Sequence, residues 1–122
     1  MREVEIGSSD FTRVMCTDKP GVGGACYEYQ VEPSLPLNGS DDFTPFVKVS
    51  FQNGPVKESG INGCHHEDLL AIVIDRLQHF QAGEYTCREN AIALTKIEEA
   101  MHWLNHRTNA RKKRGVEGTH KK

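Results

Sequence analysis

The chain has 122 residues, with 15 Lys and Arg against 17 Asp and Glu and a formal net charge of −2. This length predicts a single domain, residues 1–122, that can build one core and is small enough for a partner chain to matter. No run of eighteen apolar residues and no signal-peptide core occurs, so we expect a soluble cytoplasmic protein without a membrane partner.

The charges are distributed unevenly along the chain. Residues 1–103 hold 8 Lys and Arg against 16 Asp and Glu, whereas residues 104–122 hold 7 against 1. A cationic end of this kind binds polyphosphates, nucleic acid or anionic lipid, or is simply a solvated helix end. The acidic remainder argues against a large nucleic-acid interface.

The N-terminal part predicts a β-hairpin. Residues 10–16 and 26–31 favour β-structure, and a glycine-rich stretch, 18–24, joins them. Its glycines could cradle a phosphate, but no helix follows them as it does in known phosphate-binding loops, so we favour a simple turn.

The predicted sheet is small. Residues 33–44 read as a surface loop and 45–51 as a third strand, while Val4 and Ile6 could add a fourth. We assign residues 1–60 to this sheet, which is too small to bury both of its faces by itself.

The C-terminal part, residues 61–122, predicts an antiparallel helical hairpin with a basic tail. The first helix begins near Cys64, with Asn62 as a candidate N-cap, and ends near Phe80. Its apolar side comprises Leu70, Val73, Ile74, Leu77 and Phe80. The fold class is therefore α+β, with an antiparallel sheet followed by a helical pair.

The second helix is the longer one. Thr86 and Glu89 have the spacing of a capping box, and cationic residues near Arg114 mark its end. One face of this helix has the spacing of a helix packed lengthwise against another helix, and we call this face the seam. It comprises, at alternating steps of four and three, Asn90, Leu94, Ile97, Met101, Leu104 and Thr108. The first helix covers about 24 Å and the second about 40 Å. Because the last turns lack a partner in the hairpin, we expect them to dock on the sheet or on another chain.

Neither a metal site nor a catalytic site is predicted. The candidate metal ligands are Cys64, His65, His66 and Cys87. They lack the spacing of a zinc site, and no nucleophile, base and oxyanion donor occur in a recognisable order. Cys16 and Cys26 could face each other across the hairpin, but a cytosolic setting favours reduced thiols.

Aromatic, amide and cationic side chains gather at the two ends of the helical hairpin. His79, Phe80 and Asn90 lie near one end, and His106 and Arg107 near the other. Such groups are suited to nucleotide binding, although Phe80 by itself is more often a core residue and Asn90 could specify helix register. Asn90 and Arg107 are about 25 Å apart along the helix, so a common ligand would require two chains packed antiparallel.

The sequence resembles the phage-encoded anti-Thoeris sponge proteins, which share a helical-hairpin domain with phage sponges that act against cyclic-oligonucleotide immunity. The resemblance covers about residues 10–122. The motifs that carry it are NGPVKE at 53–58, NG at 62–63, EDLL at 67–70, REN at 88–90, TKIEEA at 95–100, RT at 107–108 and RGVEGTHK at 114–121.

The resemblance implies a non-enzymatic protein without a cofactor that binds cyclic ADP-ribose isomers in the cytoplasm of the infected bacterium. It also implies pockets between protomers of a homo-oligomer, a dimer or trimer of dimers. By motif position, Phe80, Asn90 and Arg107 match the stacking, amide and phosphate-holding groups of the pocket. Lys57, beside the strand that ends at residues 53–54, is expected to add a phosphate contact where the family pattern suggests an arginine. His106 stands where that pattern suggests an acidic residue, and His79 neighbours Phe80.

For a second ligand, a cyclic trinucleotide, the expected basic site comprises Arg111, Arg114, Thr119 and His120. Three converging cationic tails would make a cradle for three phosphates. The alternative functions are a small nucleic-acid-binding protein that uses residues 107–114, and an assembly module without a small-molecule ligand.

Overall fold

The structure is a computed structural model that describes residues 1–7 and 9–122, with only the backbone of Asn38. The chain forms two compact units. The sheet unit comprises Met1–Gly54 with Ile61–Cys64, and the helical unit comprises Pro55–Gly60 with His65–Lys122. The N-terminal sheet and C-terminal helices confirm the predicted α+β class.

The sheet unit contains four antiparallel strands in chain order. They are β1 (Arg2–Val4), β2 (Thr12–Cys16), β3 (Glu28–Pro33) and β4 (Val47–Ser50). The register sets Val14 opposite Val31 and Val31 opposite Val47, so β-branched side chains form cross-strand pairs. Each strand pairs with the next one along the chain, so the sheet is a meander.

The predicted strands are shifted at their ends. A fourth strand exists at Val4, but the prediction for Ile6 was wrong because Glu5–Gly7 turns as a 3-10 helix and leaves Ile6 99% exposed. Cys26 lies before β3 and not in it, because the N–H of the next residue, Tyr27, binds the carboxylate of Asp18 and not a neighbouring strand.

A tight crossing of two backbone segments closes the sheet unit. A Cβ atom on Gly63 would lie 2.4 Å from the carbonyl carbon of Phe51, so only glycine fits there. Beside it, the amide of Asn62 accepts from the N–H of Asn53 and donates to its carbonyl, both at 2.7 Å. These bonds hold residues 61–64 against the end of β4.

The helical unit contains three helices. They are α1 (Val56–Ser59), which the sequence analysis missed, α2 (His66–Gln81) and α3 (Arg88–Lys113). All six predicted seam residues of α3 are half-buried, which confirms the seam. On α2, however, Val73 is 43% exposed, and Leu69 lies on the packed side in its place.

Both predicted N-caps were wrong. The residue that precedes α2 is His65 and not Asn62, and the carboxylate of Asp68 accepts the N–H of His65 at 2.9 Å. The side chain of Asn62 is bound to Asn53 instead. Cys87 caps α3, and its sulfur accepts the N–H of Asn90 at 3.4 Å.

Gln81 explains the shift of the second cap. Its side chain donates to the carbonyl of Cys87 at 3.1 Å and accepts the N–H of Cys87 at 3.0 Å. This amide clasp fixes Cys87 as the last residue before α3, one position beyond Thr86, and therefore sets the start of the helix that carries Asn90.

No helix in the described ranges is long and apolar enough to span a bilayer.

The clasp yields a prediction for stability. Gln81→Ala should destabilise the helical unit by about 1–2 kcal/mol, since both backbone groups of Cys87 lose their partner. Urea unfolding and hydrogen exchange at Cys87 and Asn90 measure the effect. Gln78→Ala, an exposed position on the same helix, is the control, and equal midpoints for the two variants would contradict the role of the clasp.

Candidate functional site

Phe80 lies at the C-terminal end of α2 within a small group of π and cationic side chains. The guanidinium carbon of Arg76 lies 5.0 Å from the centroid of the Phe80 ring, and Tyr85 meets that ring edge-on at 6.2 Å. Phe80 is half-buried, whereas Tyr85 is 74% exposed. A second flat group could therefore stack here while Arg76 supplies a positive charge.

Asn90 belongs to the same end of the hairpin, in the first turn of α3. It is half-buried on the seam, and its N–H is capped by Cys87. Within residues 1–7 and 9–122 its side-chain amide makes no hydrogen bond, which leaves both its donor and its acceptor available to a ligand or a second chain.

His79 points back along its own helix. Its Nδ1 lies 2.8 Å from the carbonyl oxygen of Asp75 and 3.6 Å from the carboxylate of the same residue. Its side chain is 77% exposed. The imidazole is therefore oriented by Asp75, with its other ring nitrogen directed away from that contact.

The second group of predicted residues surrounds an exposed tryptophan that the sequence analysis did not select. The ring centroids of Trp103 and His106 are 5.6 Å apart, and those of His102 and His106 are 6.4 Å apart with an interplanar angle of 29°. Trp103 is 64% exposed, and Arg107 follows it by one helical turn. The signal that could have identified Trp103 is its place off the seam, where a large aromatic side chain has no core to enter.

α3 separates these two groups. Asn90 and Arg107 both lie within the continuous helix Arg88–Lys113, about 25 Å apart along its axis. One chain therefore does not bring its own Asn90 and Arg107 to one small ligand.

The C-terminal segment, residues 115–122, folds around Arg111, which is 8% exposed. The Arg111 guanidinium donates to the carbonyls of Val116, Thr119 and Lys121 at 2.9, 3.2 and 2.6 Å, and to Glu117 at 3.1 Å. The prediction that the last turns of α3 dock on the sheet or on another chain was therefore wrong for the final turn, because the C-terminal segment of the same chain covers it.

The other members of the expected basic site are also engaged within the chain. Thr119 donates its hydroxyl to the carbonyl of Val116 at 2.5 Å, and Arg114 donates to the carbonyl of Lys122. His120 lies 2.5 Å from the carboxylate of Glu58, which belongs to α1. The four residues are thus brought together around one segment.

Lys57 lies in α1 and not beside a strand as expected. Its N–H donates to the carbonyl of Gly118 at 3.0 Å, and a Cβ atom on Gly118 would approach the Lys57 side chain to 3.0 Å. The structure therefore groups Lys57 with Arg111, Thr119 and His120. It does not group Lys57 with the hairpin end that carries Phe80.

A shallow groove of about 370 Å³ lies on one face of α3. Its lining residues are Arg88, Ala91, Ile92, Thr95 and Lys96. None of the predicted site residues lines it, and its walls come from a single helix.

Comparison with known proteins identifies the helical hairpin. Residues 45–109 match the family model described as the Acb2/Tad1 hairpin domain, which is more than half of the chain. The chain belongs to the Acb2/Tad1 hairpin family. The match includes Phe80, Asn90 and Arg107, and it ends before Arg111 and the C-terminal segment.

A relative is also found in a Bacillus phage. This chain is 64% identical over 74 residues to a protein of Bacillus phage SBSphiJ7 named Thoeris anti-defense 1. The alignment covers 61% of this chain and 52% of the phage protein, so the chain spans about half the length of the relative that it matches.

The contacts of Arg111 give a local prediction. Arg111→Ala should leave three carbonyls without their charged donor and raise hydrogen exchange across residues 115–122, with a cost of about 1–3 kcal/mol. Lys112→Ala, the exposed neighbour, should leave exchange unchanged. If both variants retained the same protection, the segment would not depend on Arg111.

Proposed function

We propose that this protein is a phage immune-evasion protein that binds cyclic ADP-ribose isomers made by Thoeris TIR proteins and sequesters them without degrading them, in the cytoplasm of the infected bacterium. The observation that carries the proposal is the hairpin match, which includes Phe80, Asn90 and Arg107. The 64% identity to a protein named Thoeris anti-defense 1 supports the same function.

The end of the hairpin that carries Phe80 offers chemistry suited to a purine ring. A base can stack on a half-buried aromatic ring, and an amide with its donor and acceptor available can bind the edge of that base. Phe80 and Asn90 supply these groups, with Arg76 next to the stacking ring. Stacking and amide hydrogen bonds hold a nucleotide without breaking any of its bonds.

Arg107 supplies the charge for the diphosphate of such a ligand. A guanidinium pairs with phosphate oxygens through two parallel hydrogen bonds. Because Arg107 lies about 25 Å from Asn90 on one helix, we infer that the Arg107 in each pocket comes from a second chain. His106 lies beside it, against Trp103, where its ring could contact a ribose.

The burial of the helical unit also supports a homo-oligomer. No residue of α2 is buried, and Arg111 is the buried residue of α3, so two helices leave their apolar seam half-exposed. A second hairpin packed on the first would complete this core and bring the two ends of α3 together. We propose a homodimer with two equivalent pockets, and a trimer of dimers as the larger assembly.

The second basic site remains part of the proposal for cyclic trinucleotides. Arg111 would act as a positioning residue that holds the segment, while Arg114 and His120 present exposed cationic or titratable groups. Lys57 would add a charge beside them because its N–H is bound to Gly118.

Ligand recovery tests whether the protein is a sponge. The protein is incubated with a cyclic ADP-ribose isomer, washed by ultrafiltration, heated and centrifuged. The proposal predicts release of the intact cyclic ligand. Recovery of linear ADP-ribose would indicate an enzyme, and absence of ligand in the retained fraction would contradict binding.

A pair of variants tests the stacking role. Phe80→Ala should weaken ligand binding about 10- to 100-fold, since one base-stacking contact contributes about 1–3 kcal/mol. Ile72→Ala, a 60% exposed apolar residue on the same helix, should bind as the natural protein does. Isothermal titration calorimetry gives both affinities, and equal affinities would remove Phe80 from the pocket.

A further inference from the structure

Two buried cysteines and one carboxylate meet at the base of the glycine-rich connection between β2 and β3. The ligand atoms of Cys16, Asp18 and Cys26 all lie within 4.8 Å of one another. Cys16 is 1% exposed and Cys26 8% exposed, and both are free thiols. Nothing in the cyclic-nucleotide proposal uses these three residues.

The distances between the donor atoms match a tetrahedral zinc site. With Zn–S bonds of about 2.3 Å and Zn–O bonds of about 2.1 Å, a tetrahedron has S···O edges of about 3.6 Å. The sulfur of Cys16 lies 3.7 Å from the carboxylate of Asp18 and 3.5 Å from its main-chain carbonyl oxygen, and the sulfur of Cys26 lies 3.6 Å from that carbonyl. These three S···O distances fit the edges of such a tetrahedron.

The surrounding hydrogen bonds hold this arrangement before any ion binds. The carboxylate of Asp18 accepts the N–H of Tyr27 at 3.0 Å and that of Glu28 at 3.2 Å. These two bonds fix the direction in which the carboxylate points.

The charges also balance for a divalent ion. Arg2 lies opposite Cys16 in the register of β1 and β2, and its guanidinium interacts with the side chain of Cys26. Two thiolates, one carboxylate and one guanidinium sum to −2, which a Zn²⁺ ion neutralises. Arg2 would then be an outer-sphere donor to the Cys26 sulfur, as is common around metal-bound ligands.

We propose that Cys16, Asp18 and Cys26 bind one Zn²⁺ ion, with the main-chain carbonyl of Asp18 in the fourth position. Binding replaces the two thiol protons by the metal and releases them to solvent. Thiolate ligands favour zinc over magnesium or calcium. The ion would fasten the glycine-rich connection to β2 in a small unit whose described residues include few buried apolar side chains.

Cobalt binding tests the proposal on the full-length protein. The protein, stripped of metal and reduced, is titrated with Co²⁺, which gives sulfur-to-metal absorption when thiolates bind it. We expect saturation at one equivalent and loss of the absorption on adding Zn²⁺. Absence of the absorption would overturn the proposal, as would a disulfide between Cys16 and Cys26 that persists after reduction.

Variants assign the ligands. Cys64→Ser with Cys87→Ser should leave the absorption unchanged, because neither residue lies in the cluster. Asp18→Asn retains an oxygen for the amides of Tyr27 and Glu28 and should weaken Co²⁺ binding about 10- to 100-fold. Circular dichroism monitors folding. Unchanged affinity in Asp18→Asn, or loss of the signal in the Cys64 and Cys87 variant, would contradict the assignment.

Discussion

The packing of α2 against α3 positions every residue of the proposed nucleotide pocket. Gln81, the last residue of α2, binds both backbone groups of Cys87 and so fixes where α3 begins. From that start the seam continues at alternating steps of four and three residues, and it places Asn90 half-buried at one end. The same register leaves Arg107 exposed near the other end. A change in the start of α3 would rotate both residues out of these positions.

The length of α3 divides the candidate site residues into separate groups. Phe80 and Asn90 lie at the turn of the hairpin, while Arg107 lies near the far end beside Trp103 and His106. Beyond them, Arg111 uses its guanidinium to hold the C-terminal segment, and α1 adds Lys57 to that segment. A single chain thus carries parts of the proposed pocket, and its half-exposed seam is a physical reason for the proposed second chain.

Hydrophobic periodicity predicted the larger features of the fold. The α+β class, the seam of α3 and the antiparallel hairpin follow from residue spacing, which local sequence determines. The caps were wrong because non-local bonds decided them: Asn53 binds Asn62, and Gln81 binds Cys87. α1 and the folding of residues 115–122 around Arg111 were missed for the same reason. Trp103 was overlooked because the sequence analysis followed the seam, and Trp103 lies off it and is 64% exposed.

Mixing two inactive variants tests most directly whether pockets form between chains. Asn90→Ala and Arg107→Ala are each expected to lose binding, but after subunit exchange half of the dimers are mixed and each mixed dimer retains one intact pocket of two. The account predicts recovery of about a quarter of the natural binding capacity. Mixing Asn90→Ala with Phe80→Ala, both at the same hairpin end, should recover none. No recovery in the first mixture, with subunit exchange confirmed by native mass spectrometry, would contradict a pocket shared between chains.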